Sequence, residues 1–145
     1  MFGVELTMIP NKLRRRGKDV PSRLTRKLDD VFSRFIRLRD ADKDGLCVCC
    51  TCGQRKPWEE MHAGHFVGRE AKNTRWEEKN VHAQCPDCNT YHEGRKPEYT
   101  LFLQKKYGAE IVEQLVMAGT LARHFKPIEL EALIEYYRQR LEEML

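Results

Sequence analysis

The sequence predicts an α+β chain: a small β-β-α unit, stapled by a metal ion and embedded in a mainly helical domain. Three observations predict it. Two C-x-x-C pairs, Cys49/Cys52 and Cys85/Cys88, lie on either side of two short strand-like stretches, 61–67 and 80–84, and amphipathic helical periodicity flanks the whole on both sides. At 145 residues the length suits one domain. With 33 % charged and 41 % hydrophobic residues the apolar core is expected to be thin, so a covalent or metal staple would add needed stability.

Residues 1–21 read as a basic flexible arm, in which Lys12, Arg14, Arg15, Arg16 and Lys18 crowd one stretch where the only acid is Asp19. The net charge of +4 hides this asymmetry, because the stretch 129–143 is acid-rich. A basic arm ahead of a folded domain suits a polyanionic partner. Residues 22–145 read as a single domain. Pro21 and Ser22 supply a helix start, and Leu24, Leu28, Val31, Phe32, Phe35 and Leu38 recur at helical spacing through 22–39. Arg23, Arg26, Lys27, Arg34 and Arg37 occupy the remaining surface of that helix, which is basic on one side and apolar on the other.

Residues 40–45 (DADKDG) form a turn. They open like a calcium loop, but that loop needs Glu at its last position, where Thr51 stands. Residues 46–94 carry the metal motif, with 68–79 as a polar connection between the strands and a short helix beginning at Asn89. Residues 97–145 are helical. Pro97 sits in a first turn and Gly108 ends that helix; 109–118 is a second segment ended by Gly119, and 128–145 a third with Leu130, Leu133, Ile134, Tyr137 and Leu141 on one side.

The six cysteines, Cys47, Cys49, Cys50, Cys52, Cys85 and Cys88, fall in two tight clusters. In a reducing compartment such clusters ligate metal, and four thiolates are the usual closed structural zinc site. Cys49, Cys52, Cys85 and Cys88 are the expected ligands because Gly53 suits the turn after Cys52. Cys47-x-x-Cys50 is the competing first knuckle. A redox C-x-x-C would sit beside a βαβ unit, and none is visible. The chain has no apolar run of membrane-spanning length and no secretory leader pattern, so a cytoplasmic protein without a membrane partner is expected, in a bacterial host cell if phage-encoded.

Four of the five histidines, His62, His65, His82 and His92, lie in or beside the motif. The order of parts (a hairpin carrying His, then an Asn, then a helix carrying a metal ligand) resembles the HNH, or His-Me finger, nuclease motif, and implies a treble-clef zinc fold. More closely the chain resembles the NinG (Rap) recombination endonuclease family of lambdoid phages. The resemblance rests on Phe32 through Ala41, Cys49-Cys50-Thr51-Cys52-Gly53, His62-Ala63-Gly64-His65-Phe66, Arg75-Trp76, Glu78 through Cys85, Cys88-Asn89, Gly94, Glu98-Tyr99 and Lys106-Tyr107-Gly108. It covers roughly residues 28–118 and implies metal-dependent cleavage of branched DNA, Holliday junctions included, during phage recombination. The family commonly carries a cysteine-rich N-terminal segment, where this chain has the basic arm.

Phosphodiester hydrolysis needs a water to lose a proton as it attacks, which histidine can accept near neutral pH. His65 matches the family's general base, Asn89 a ligand of a catalytic Mg²⁺ or Mn²⁺, and Asn80 the middle asparagine that orients the backbone carrying the base. Many HNH enzymes place an acid or histidine immediately before the base, where this chain has Gly64. His62 is the first replacement ligand, followed by His92 and His82. In a regular strand, residues 62 and 65 face opposite sides, so a bulge at Ala63-Gly64 is expected to unite them. Asn89 and His92, at i and i+3, are expected to share a helical face.

DNA is the expected partner. It would be held through phosphates by Arg14, Arg15, Arg16, Arg23, Arg26, Lys27, Arg34 and Arg37, and by Arg69, Lys72 and Arg75, with Lys79, Arg95 and Lys96, around the motif. Two matched cuts would favour a homodimer, for which the C-terminal helices offer an interface. Two other readings use the same residues: a non-catalytic zinc-finger DNA-binding protein, and a zinc-organised adaptor that binds proteins through the C-terminal helices.

Overall fold

One long helix, α1 (Asn11–Arg39), forms a wall of the molecule. The computed structural model describes residues 11–145, with side chains from residue 23 onward. Helix α1 starts eleven residues ahead of the expected Ser22, so 11–21, read as arm, are helical, and Pro21 lies inside the helix. The leucine, lysines and arginines of that stretch are good helix formers, and helical propensity prevails over the one proline. The remaining ten residues of the expected arm lie outside those described.

After α1 come a hairpin, β1 (Leu46–Val48) and β2 (Arg55–Pro57), then β3 (His62–His65), the short helix α2 (Lys72–Arg75) and β4 (Val81–Gln84). A single π-helical turn, Asp87–Tyr91, leads to α3 (Lys96–Tyr107), α4 (Ile111–Thr120) and α5 (Pro127–Met144). Strands β3 and β4 pair antiparallel in regular register, His62 opposite Gln84 and His65 opposite Val81. The β1–β2 pair is a separate two-stranded sheet that sequence reasoning missed, since three residues per strand are too few to show alternation.

Three apolar clusters converge on β3–β4. Leu28, Phe32, Phe35 and Ile36 of α1 meet Leu130, Ile134 and Tyr137 of α5, with Val81 of β4 beneath them. The Tyr137 ring packs edge-on to Phe32 at 4.9 Å. Each such side chain contributes about 1.5–3 kcal/mol on burial. The apolar stripe of α5 is therefore core packing within the chain. Phe66, Tyr99, Leu103, Ile111 and Leu115 join α3 and α4 to the end of β3. The third cluster surrounds the cysteines: Cys47, Cys49, Met61, Ala83, Cys85 and Cys88.

The helices of the second half shift from expectation at several ends: α4 begins at Ile111 rather than 109, and α5 at Pro127 rather than 128. Gly119 does not end α4, which runs to Thr120. A Cβ at residue 119 would lie 2.9 Å from the Val67 side chain, so this glycine serves close packing rather than termination. Gly108, with φ +104°, does terminate α3. Among the described residues, no helix is long and apolar enough to cross a membrane.

Candidate active site and metal centre

The Sγ atoms of Cys49, Cys52, Cys85 and Cys88 all lie within 4.8 Å of one another. The first knuckle comes from the turn between β1 and β2, and the second from the end of β4 and the π-turn. Cys52 and Cys85 are 3.7 Å apart, against about 3.8 Å between thiolates of a tetrahedral zinc site with 2.3 Å bonds. Gly53, at φ +79°, closes the first knuckle by donating its amide to the Cys49 carbonyl at 3.0 Å. The Cys85 amide donates to Cys49 Sγ at 3.2 Å, the Cys88 amide to Cys85 Sγ at 3.4 Å and Arg95 Nε to Cys88 Sγ at 3.1 Å. Burial works against a Cys49 thiolate, but the donors from Cys85, Thr51 and Cys52 outweigh it and bring the thiol down to about 6. Such a group can hold a zinc ion. The Cys47/Cys50 register is excluded by placement: Cys47 is buried and donates to the Arg37 carbonyl, and Cys50 packs against the Phe66–Tyr99 cluster.

The second cysteine pair also anchors the turn that carries Asn89. The Asn89 amide donates to the Cys85 carbonyl at 3.0 Å, and its side-chain amide donates to His62 Nδ1 at 3.0 Å. His62, His65 and Asn89 line one cleft of about 570 Å³ with Asp29, Arg69, Glu93 and Lys96. No bulge brings the histidines together, as the β3–β4 register is regular. The cleft instead lies between α1 on one side and the 89–96 segment on the other, and His62 and His65 both border it from the intervening strand.

His65 donates its Nε2–H to the carbonyl of Arg75 at 2.8 Å. A carbonyl can only accept, so the proton sits on Nε2 and Nδ1 carries the lone pair. Burial, aided by the charges of Arg69 and Arg75, outweighs the Arg75 carbonyl and Asp29 and pushes the His65 pKa below the ordinary imidazole value. The ring is therefore neutral near pH 7. Asn80 is fully buried and ties the next backbone stretch. Its Oδ1 accepts from the Val67 amide at 2.8 Å, and its Nδ2 donates to the carbonyls of Val67 and Thr74, both at 3.0 Å. Lys96 donates to the carbonyls of His65 and Phe66, so its ammonium also braces the end of β3.

Two of the alternative ligands are placed elsewhere. His82 is buried on the far side of β4 between Tyr99 and Tyr107. His92 pairs with Asp87 at 3.3 Å and lines a separate groove with Tyr91, Arg95 and Pro97. The turn carrying Asn89 is wound as a π-helix and ends at Tyr91, so the i, i+3 rule of an α-helix does not place His92 beside Asn89.

The basic residues divide in the same way. Arg69 lines the cleft. Arg37 bonds Ser33 and the Trp58 carbonyl and stacks over the Trp58 ring, and Arg75 grips Asp29, so both are structural rather than open to phosphate. Arg34 is exposed and makes a long i, i+4 pair with Asp30. Arg23 and Lys27 are exposed at the start of the described face of α1, whereas the side chains of Arg14, Arg15 and Arg16 lie outside those described. Sequence reasoning missed Asp29: its contacts with Arg75 and Trp76 span 46 and 47 residues, and no local pattern announces them.

Residues 10–145 match the family described as Bacteriophage Lambda NinG protein. Protein ninG of Escherichia phage lambda is 28 % identical over 135 residues, covering 92 % of this chain and 63 % of its own length. Protein ninG of Salmonella phage P22 is 27 % identical with the same coverage, and that of Escherichia phage 933W is 27 % identical with 64 % of its length covered. The chain thus spans just under two thirds of the length of these curated relatives. No solved structure matches it.

Proposed function

This chain belongs to the NinG family, and from that premise we propose that it is a divalent-metal-dependent endonuclease of the HNH (His-Me finger) class, hydrolysing phosphodiester bonds in branched DNA, Holliday junctions included, during phage recombination. The observation that carries this reading is the His65–Arg75 bond. It leaves an unprotonated Nδ1 on a neutral imidazole in the cleft that also holds His62 and Asn89. In this reading the cysteine-held hairpin, β3–β4 and the π-turn make up the treble-clef ββα unit, with zinc as its structural ion.

His65 Nδ1 accepts the proton of the attacking water as the new P–O bond forms and the bond from phosphorus to the leaving sugar oxygen breaks, that oxygen taking up a proton from solvent. Asn80 keeps the backbone after His65 in place, so the imidazole meets the water without reorganising. The Asn89 amide donates to His62 Nδ1; with that amide turned over, its oxygen and the freed His62 nitrogen would together hold a Mg²⁺ or Mn²⁺ ion that completes its shell with water and phosphate oxygens. When bound, that ion supplies charge stabilisation for the phosphate and the leaving oxygen. Arg69, with Lys72 and the exposed α1 residues Arg23, Lys27 and Arg34, grips the flanking phosphates without reading sequence.

Gly64 is the feature that favours a non-catalytic zinc finger. It has a packing reason of its own, because the space a side chain there would fill is occupied by Gln84. The test incubates the protein with labelled four-way junction and matched linear duplex, with and without Mg²⁺ or Mn²⁺. Metal-dependent cutting of the junction is expected. His65→Ala should lose about 10²–10⁴-fold in rate while retaining zinc and junction binding. Cutting by His65→Ala at the wild-type rate would overturn the mechanism.

A further inference from the structure

We infer that Asp29 is the positioning residue for the His65 imidazole, acting from the opposite wall of the cleft through Arg75. The inference rests on the reading of His65 as the base. Asp29 stands on α1, and both its oxygens are engaged. Oδ1 accepts from Arg75 Nε at 3.0 Å and from the Trp76 indole at 3.0 Å, and Oδ2 accepts from Arg75 Nη2 at 2.5 Å. The third arm of the same guanidinium, Nη1, donates to the Arg69 carbonyl at 3.0 Å. One carboxylate thus pins two successive side chains, and through Arg75 the loop before them.

The group held in this way is the peptide carbonyl of Arg75, the acceptor of His65 Nε2–H. Arg75 sits at the last position of α2, a four-residue helix too short to hold its own geometry. Asn80 ties the Thr74 carbonyl and Asn73 bonds the Ala118 carbonyl, but the bridge to α1 is what holds the Arg75 side chain, and with it the peptide that carries the carbonyl. A wandering carbonyl would release His65 to rotate or to move its proton to Nδ1, and an imidazole protonated there cannot accept the water's proton at that nitrogen. A bidentate carboxylate–guanidinium pair has the directionality this task needs. Arg75 is 17 % and Asp29 21 % exposed at the side chain, so the pair is shielded rather than loose on the surface. The arrangement places a carboxylate behind the base by way of a main-chain carbonyl, in place of direct contact between carboxylate and imidazole.

The test is ¹⁵N NMR of histidine-labelled protein, zinc-loaded, for the wild type, Asp29→Ala, Asp29→Asn and Arg75→Lys. In the wild type, His65 should show the Nε2–H tautomer. In Asp29→Ala the Nδ1–H tautomer should rise several-fold, while the His82 signals and the zinc content stay as in the wild type. Asp29→Asn keeps the size and one acceptor oxygen and should fall between; it decides the matter if Asp29→Ala does not fold. Arg75→Lys keeps the charge but not the two-point grip and should resemble Asp29→Asn. For junction cutting, kcat should drop about tenfold in Asp29→Asn with KM little changed, the usual scale for a group that orients an active residue. A wild-type His65 tautomer in folded Asp29→Asn and Arg75→Lys would overturn the inference. If no protein cuts DNA, the wild type included, the tautomer measurement still decides the role of Asp29, and only the nuclease reading fails.

Discussion

Gln84 stands where a side chain on residue 64 would have to go: a Cβ built there would collide with Gln84 Oε1 and lie 2.8 Å from Gln84 Cβ. Gln84 is itself held, donating through Nε2 to the Gly94 carbonyl at 2.8 Å and to Thr51 Oγ1 at 3.1 Å. Cross-strand packing thus explains why the residue before His65 carries no acid. Gly64→Ala is expected to destabilise the fold by about 1–3 kcal/mol or more, the scale of overpacking a dense core. Gln84→Ala in the same chain should recover part of that loss, because the two sites share one volume. Additive losses in a urea-denaturation double-mutant cycle would show that the clash is relieved elsewhere.

Asn80 satisfies three backbone groups with one buried amide. Asn80→Ala strands the Val67 amide and carbonyl away from water, whereas the Thr74 carbonyl keeps the Glu77 amide as a donor. Each unsatisfied group costs about 1–3 kcal/mol, so a loss of several kcal/mol is expected in the denaturation midpoint. Asn80→Asp keeps the acceptor for Val67 but loses both donations and adds a buried charge, so it should be no better than alanine. A surface-like loss of under about 0.5 kcal/mol in either variant would contradict this role for the amide.

Much of this arrangement is legible in the sequence, and the unread part has a common physical cause. The two knuckles, the strands around His65 and Asn80, and the apolar faces of the helices follow from spacing and periodicity, which are local signals. The placing of His62, His65 and Asn89 in one cleft follows from motif order. Asp29, Gln84 and the Tyr99–His82–Tyr107 contacts are not legible, because each pairs residues distant in sequence and leaves no periodic trace. Arg37 and Arg75 read as phosphate contacts for the same reason: charge is visible in a sequence, but its partner is not.

The four-cysteine group carries a sharp test of register. Cys52→Ser and Cys85→Ser should each lose the tightly held zinc and unfold the 46–94 region, since structural zinc contributes on the order of 10–16 kcal/mol, more than most domains have to lose. Cys50→Ser should keep about one zinc per chain. Metal analysis of the purified variants checks this, and retention of zinc by Cys52→Ser with loss by Cys50→Ser would reverse the assignment.

Arg69 and Arg37 are both basic, but only one faces the cleft. Arg69→Ala is expected to weaken junction binding and to flatten the salt dependence of the affinity by about one phosphate contact. Arg37→Ala should leave that slope unchanged and instead lower stability, having lost its bonds to Ser33 and Trp58. Binding measured across a salt series separates the two, and an equal change of slope in both would refute the division.

The two interior histidines set the pH behaviour, and their hydrogen bonds give its sign. Tyr99 donates to the Gly64 carbonyl at 2.6 Å, so the Tyr99 oxygen must accept from His82 Nδ1, at 3.2 Å. His82 Nε2 is then unprotonated and accepts from Tyr107 at 2.8 Å. A second proton on His82 would face the Tyr107 proton. Burial, with Arg39 adding to it, brings the His82 pKa to about 3. The folded value lies below the unfolded one, near 6.5, so the unfolded chain binds the proton first on acidification. Stability from this group is fully present above about pH 6.5 and is lost as the pH falls towards about 3, by up to roughly 4–5 kcal/mol. His65, lowered mainly by burial, follows the same sign, so the rate of cutting should rise with pH through its depressed pKa and be flat above it. NMR titration of the ring protons should find His82 still neutral wherever the fold persists, and a His82 midpoint near 6.5 in the folded protein would refute the Tyr99–His82–Tyr107 network.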